Sequence, residues 1–276
     1  MSKKMKNKTI VVAPAIKTKF WQKLYYKFLQ SNVPFHFVFV GHIRPSFSLP
    51  DNFTYIWCEE KAATCAEVAY QYAHSEIKEA KYIINIADDL EFPEMFLDGL
   101  ISLYEEKALQ LQNEFLCVGP TLLTHTYKQS LMAINDGGPV VLGPMLTTIE
   151  NSKKIGGVDK NFTSVYWDCD RQLRAVEAGG YIYCAQPKEV FPLREIEYFA
   201  NDGLWYNHGA QDRKLLDALW SFRDDVCGLI NCSSFRKKAD SFLNENVYFN
   251  KKIVAYRKMK VIEYNKKQIE RFYEKK

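Results

Sequence analysis

Short apolar runs alternate with amphipathic stretches through the first half of the chain, and this alternation predicts βα units on a largely parallel sheet. Residues 9–13 read as a strand, and 19–29 as a helix carrying Trp21, Leu24, Tyr25 and Phe28 on one face. Residues 34–40 form a second strand ended by Gly41, 55–57 a short third strand, and 64–73 a helix. Residues 82–86 are a fourth strand, closed by Ala87, Asp88 and Asp89. Pro93 suits the first turn of a helix running through Leu103, because proline lacks only a donor which that position cannot use. A fifth strand begins at 116–118.

The second half is less regular. Residues 139–146 are an apolar, strand-like run flanked by glycines, and 155–162 read as a turn-rich loop. Residues 168–178 predict a helix that Gly179 and Gly180 stop, and 181–185 another strand. From 195 to 210 the pattern breaks into a segment holding Tyr, Asn and Gly, and long irregular segments of this kind are often functional. A helix follows from about Asp212 to Phe222. The division expected is a catalytic-size domain over 1–233 and a basic helical extension over 234–276.

Composition narrows the class. The 276 residues are 47% apolar and 25% charged, which fits a folded globular chain, and no run approaches the roughly 18 to 20 apolar residues of a membrane span. The seven cysteines are scattered without a CxxC pair, so they predict reduced thiols rather than a zinc site or a disulfide framework. With no apolar signal core after the basic N-terminus, the expected location is cytoplasmic. The net charge of +4 is unevenly placed: residues 251–276 hold ten Lys or Arg against three Glu, and Lys3, Lys4, Lys6 and Lys8 are basic too, leaving an acidic body. That distribution argues against a nucleic-acid partner. In the tail, Ala255, Met259, Ile262, Ile269 and Phe272 fall near one helical face, which would either pack on the domain or rest peripherally on anionic lipid.

Two acidic groups stand out. Asp88 and Asp89 follow an apolar strand, at the carboxyl end where α/β sheets gather ligands. Adjacent carboxylates repel, and a hard divalent cation stabilises both as anions; a solvated turn that caps the next helix is the alternative. Asp168 and Asp170 open a predicted helix, where a carboxylate either caps or, kept ionised, accepts a proton from an attacking hydroxyl.

Together these segments resemble the inverting glycosyltransferases of family 2, which have the GT-A fold. Tyr82-Ile-Ile-Asn-Ile-Ala-Asp-Asp-Leu-Glu-Phe-Pro93 is similar to the family's strand leading into its DxD metal motif. Val140-Val-Leu-Gly-Pro-Met-Leu146 followed by Ile155-Gly-Gly-Val-Asp-Lys-Asn-Phe162 resembles its acceptor-side segment, and Trp167-Asp-Cys-Asp-Arg-Gln-Leu-Arg-Ala-Val-Glu-Ala-Gly-Gly180 its catalytic helix. The resemblance covers about residues 9 to 210. It implies an α/β, GT-A-like Rossmann-type sandwich with a mostly parallel central sheet. It also implies transfer of a sugar from a nucleotide-diphosphate donor, with UDP the expected nucleotide, to a glycan, lipid-linked or protein acceptor.

Carried over residue by residue, the resemblance makes Asp89 a ligand of Mn²⁺ or Mg²⁺ and Asp168 the catalytic base. Asp88, Pro14 and Ala15 become nucleotide-sugar contacts, and Asn85 or Glu91 substitutes for the motif's first acidic residue in that contact. His208 resembles a further metal ligand that some members place after the catalytic helix, against the alternative of a surface loop histidine. Ala87 stands at the first acidic position of the metal motif, a departure that keeps a noncatalytic nucleotide-sugar-binding protein in view. A sugar nucleotidyltransferase would also need a Gly-rich phosphate loop after the first strand, where this chain has Ala13-Pro-Ala-Ile-Lys17.

Overall fold

The computed structural model describes residues 8–45, 47–120, 122–123, 143–178, 180–185, 190, 193–196, 208–212 and 214–216. The predicted helix beyond 216 and the basic extension over 234–276 lie outside the described residues. The chain runs β1 (Lys8–Pro14), α1 (Thr18–Phe28), β2 (Phe35–Gly41), β3 (Phe53–Trp57), α2 (Ala62–Glu76), β4 (Ala80–Asn85), β5 (Leu90–Glu91) and α3 (Phe96–Leu111). It continues through β6 (Leu116–Gly119), β7 (Leu122–Leu123), β8 (Met145–Thr148), α4 (Ile149–Ile155), α5 (Trp167–Glu177), β9 (Tyr181–Cys184) and β10 (Leu193–Glu195).

Seven strands form one sheet in the order β3-β2-β1-β4-β8-β6-β9, parallel except for β8, which runs antiparallel between β4 and β6. A second sheet, β5-β10-β7, takes up the short strand that follows Asp89. The central strands are covered on both faces, which is why they read in the sequence as unbroken apolar runs. Their side chains alternate between two layers. Val11, Ala13, Phe35, Phe37, Phe39 and Ile84 pack with Trp21, Leu24 and Phe28 of α1 and with α3. Ile10, Val12, Val38, Val40 and Ile83 pack with the alanine-rich face of α2 and with Phe162, Trp167 and Cys169 near the start of α5.

Three sequence expectations shift. The helix expected from Pro93 begins at Phe96 and extends to Leu111, because Met95 sits in the left-handed region (φ 55°) and interrupts the helical run before it. The region between the predicted strand at 139–146 and the loop at 155–162 holds an unforeseen helix, α4, whose Thr148 side chain caps it by accepting the Asn151 N–H at 3.1 Å. Residues 208–212 and 214–216 are helical, so the last described helix starts before Asp212, and His208 lies on helix rather than loop. Among the described residues no helix is long and apolar enough to cross a membrane.

Candidate functional site

The carboxyl ends of β1 and β4 lie side by side, held by the Ile86 N–H on Val12 O at 2.9 Å, while the Ala15 N–H on Val40 O at 2.8 Å ties in β2. Ala15 is buried against Gly41, where an added Cβ would come within 2.0 Å of the Ala15 carbonyl oxygen. Only glycine lets the ends of β1 and β2 approach this closely. Pro14, the last residue of β1, is half-buried at the same edge.

The two adjacent carboxylates divide their tasks. Asp88 is 5% exposed and turns toward the protein, where its Oδ2 accepts the Lys17 backbone N–H at 2.6 Å and the Trp21 Nε1–H at 2.8 Å. Burial pushes its carboxyl up to about 6 against the pull of those two donors. Asp89 is more accessible and carries the Lys17 ammonium, Nζ to Oδ2 3.1 Å. Its backbone carbonyl accepts the Ile196 N–H at 3.0 Å, and Leu90–Glu91 pairs with β10, so the turn is anchored on both sides.

Asn85, at the end of β4, begins a second group. Its Oδ1 accepts from the Met145 N–H at 3.2 Å and the Tyr70 hydroxyl at 3.4 Å, and its Nδ2 donates to Gly143 O at 3.2 Å. The N–H of Gly143 in turn donates to Asp168 Oδ2 at 2.9 Å. Gly143 has φ 125°, a conformation that side chains rarely adopt, with open space where a Cβ would be. Asn85, Gly143 and Asp168 are therefore one hydrogen-bonded unit, and Asn85 lies three residues from Asp88 on the same chain segment.

Asp168 stands in the first turn of α5, its Oδ1 accepting the Cys169 N–H at 2.9 Å. Solvent reaches part of the side chain, but dense surrounding protein replaces most of its water and pushes the carboxyl up to about 6. Asp212 supports this turn from outside it. Its buried carboxylate accepts the N–H groups of Thr163, Ser164 and Val165 at 2.9, 2.7 and 2.9 Å, fixing the chain just before α5. Sequence reasoning reads Asp212 as a helix start and assigns it no such role; a partner 47 to 49 positions away leaves no local signal.

Lys17 and Trp21 are two further residues missed from the sequence. Lys17 sits in the loop whose lack of glycines set the chain apart from phosphate-loop enzymes, and Trp21 reads as part of an apolar helix face. His208, half-buried on its helix, makes no hydrogen bond or ion pair with Asp89, and among the described residues no three His, Cys, Asp or Glu side chains converge as a metal cage. Among the described residues, the adjacent pair offers one accessible carboxylate, Asp89. That is too little to retain a cation alone, but it suits Mg²⁺ or Mn²⁺ arriving with a ligand's phosphates, since such ions are held by one or two carboxylates plus phosphate and water.

No family model and no curated protein matches the chain. Solved structures do resemble it. A crystal structure of GalNAc-T7 with UDP, GalNAc and Mn²⁺ aligns with a TM-score of 0.53 at 9% identity, covering 85% of this chain and 54% of the other, so this chain spans about half that neighbour's length. A mutant Drosophila beta-1,4-galactosyltransferase 7 in complex with manganese, UDP-Gal and xylobiose aligns with a TM-score of 0.48 at 15% identity, over 75% of this chain and 79% of that one. Likeness at such identities is likeness of fold, and with the mixed, mostly parallel seven-stranded sheet it gives this chain the GT-A fold of glycosyltransferases.

Proposed function

We propose that the chain is an inverting glycosyltransferase, similar to family 2, that moves a sugar from a UDP-linked donor to a hydroxyl of a glycan acceptor. The observation that carries this reading is the state of Asp168. Two backbone N–H groups orient its carboxyl, no arginine among the described residues pairs with it, and an ordinary value raised to about 6 leaves it ionised at neutral pH yet more basic than a solvated carboxylate. Asp168 accepts the acceptor hydroxyl's proton as that oxygen bonds to the anomeric carbon. The bond from that carbon to the diphosphate oxygen breaks with its electron pair, and UDP departs as an anion. One base and no covalent nucleophile make this a single displacement, which inverts the anomeric centre.

Asp88 acts as a positioning residue, joining the loop after β1 to the turn after β4 so that both border one cleft. Asp89 is the residue that would hold Mn²⁺ or Mg²⁺, whose role when bound is to offset the charge developing on the leaving diphosphate. Asn85 and Gly143 keep Asp168 in register with that edge, and such positioning supplies much of the rate in a two-substrate transfer. A noncatalytic nucleotide-sugar binder is favoured by one observation, Ala87 at the first acidic position.

Thermal stabilisation by UDP plus Mn²⁺, followed by an assay of UDP release from a panel of UDP-sugars, separates the two. Stabilisation with release of UDP is the expected result. Stabilisation without release from any donor, with or without oligosaccharide acceptors, would favour the binder.

A further inference from the structure

Lys17 is anchored through its backbone, and its ammonium lies on Asp89. The main-chain N–H is held by buried Asp88 at 2.6 Å, so the residue's position does not depend on where the ammonium goes. The ammonium lies 3.1 Å from Asp89, with the two side chains 22% and 18% exposed, sheltered from bulk water but not closed off from it. Of the adjacent pair Asp88 and Asp89, Asp89 is the accessible carboxylate. A lysine ammonium and a divalent cation at contact distance from the same carboxylate repel each other, and the repulsion is stronger away from bulk water. Lysine is a compact charge on a flexible stem with three donors, and it binds phosphate as a point charge.

From this arrangement we infer that Lys17 is a ligand of the nucleoside diphosphate: it neutralises Asp89 while the site is without donor and turns to the phosphate oxygens when a cation takes Asp89. The inference rests on the transferase reading and adds a residue to it. In the free protein Lys17 competes with a divalent cation for Asp89, so the cation alone binds weakly. A diphosphate removes that competition by giving the ammonium another anion, and binding of cation and diphosphate is then coupled in both directions. No proton moves and no bond is made or broken in the exchange.

The test compares the full chain with Lys17→Met and Lys17→Arg, measuring Mn²⁺ alone by electron paramagnetic resonance and UDP by calorimetry in saturating Mn²⁺. Lys17→Met retains the backbone bond to Asp88, and thermal unfolding verifies its fold. It is expected to bind Mn²⁺ alone several-fold more tightly than the parent, yet to bind UDP about tenfold more weakly, the scale of one lost charged hydrogen bond. Lys17→Arg is expected to restore most of the UDP affinity. Equal UDP affinity in the parent and Lys17→Met, or weaker Mn²⁺ binding in Lys17→Met, would overturn the inference while leaving the transferase reading in place. A parent chain with no affinity for UDP in Mn²⁺ would overturn the transferase reading, and the inference with it.

Discussion

Where α1 and α3 meet the sheet, the interior is aromatic; where α2, α4 and α5 meet it, the interior holds charge. On the first side Phe37 stacks on Phe39 at 4.9 Å, Trp21 meets Phe39 edge-on at 5.3 Å, and Phe28 touches Phe35, Phe37 and Phe92. On the second, Arg171 and Arg174 are buried with Glu67, Asp170 and Ser152. Arg171 lies over the Tyr70 ring at 3.9 Å and donates to Gly156 O and Ser152 Oγ, its Nε having no hydrogen-bond partner. Arg174 pairs with Asp170 at 3.1 Å and donates to the carbonyls of Ile155 and Gly157. Apolar packing stabilises without direction, whereas buried charges demand particular partners. The charged side therefore fixes one arrangement of the 155–158 segment against α5.

The same contrast recurs between two carboxylates on α5. Asp170 has an arginine, and Asp168, two residues earlier, has the N–H groups of Gly143 and Cys169 and the Cys169 thiol, with no ion pair to an arginine among the described residues. Pairing with arginine would hold a carboxyl in its ionised, weakly basic form. Its absence at Asp168 leaves a carboxyl that can take a proton.

The largest effect on stability should come from the charged side. Arg174→Met takes the ion-pair partner from fully buried Asp170 and two donors from the adjoining loop, and should destabilise by about 3–5 kcal/mol in denaturant unfolding. A change below about 1 kcal/mol would mean that the loop is held by other contacts.

Glu67 sharpens the comparison through pH. It is fully buried, accepts the Val158 N–H and the Gln71 amide, and burial pushes its carboxyl from 4.5 up to about 7. A value raised on folding contributes stability that is complete below the unfolded value of 4.5 and lost as pH rises through about 7. Glu67→Gln lacks that titration, so its stability relative to the parent should rise by up to about 3 kcal/mol between pH 4.5 and pH 8. A pH-independent difference between the two proteins would contradict the assignment.

Trp21→Phe is the corresponding change on the aromatic side. It keeps most of the packing but removes a donor from buried Asp88, and should cost about 1–3 kcal/mol, measured by thermal unfolding. Asp88→Asn in the same background should then cost less than in the parent, since the two side chains share one hydrogen bond.

Much of the aromatic side was legible in the sequence and little of the charged side was. Strands such as β1, β2 and β4 are covered on both faces and announce themselves as apolar runs, and the alternation of helices between them follows. Helix α4 gave no such signal, because its inward residues include Asn151 and Ser152, and seven residues span barely two turns. The two- and three-residue strands β5, β7 and β10 are too short to show a period. At the candidate site, Asp88, Asp89 and Asp168 could be picked out as carboxylates at the ends of elements. That Asp88 faces inward could not, since its donors lie 67 and 71 residues away. The charges buried between α2 and α5 read as ordinary polar helix positions until the fold brings them together.

The central claim is that Asp168 removes the acceptor's proton in a UDP-sugar transfer, and release of UDP by the parent chain and by Asp168→Asn, with UDP affinity measured alongside, tests it most directly. General-base catalysis of this kind contributes about 10²–10⁴ in rate. The expected result is that Asp168→Asn binds UDP in Mn²⁺ as the parent does while releasing UDP from the sugar donor at least about a hundredfold more slowly. Release at the parental rate, with binding intact, would contradict it.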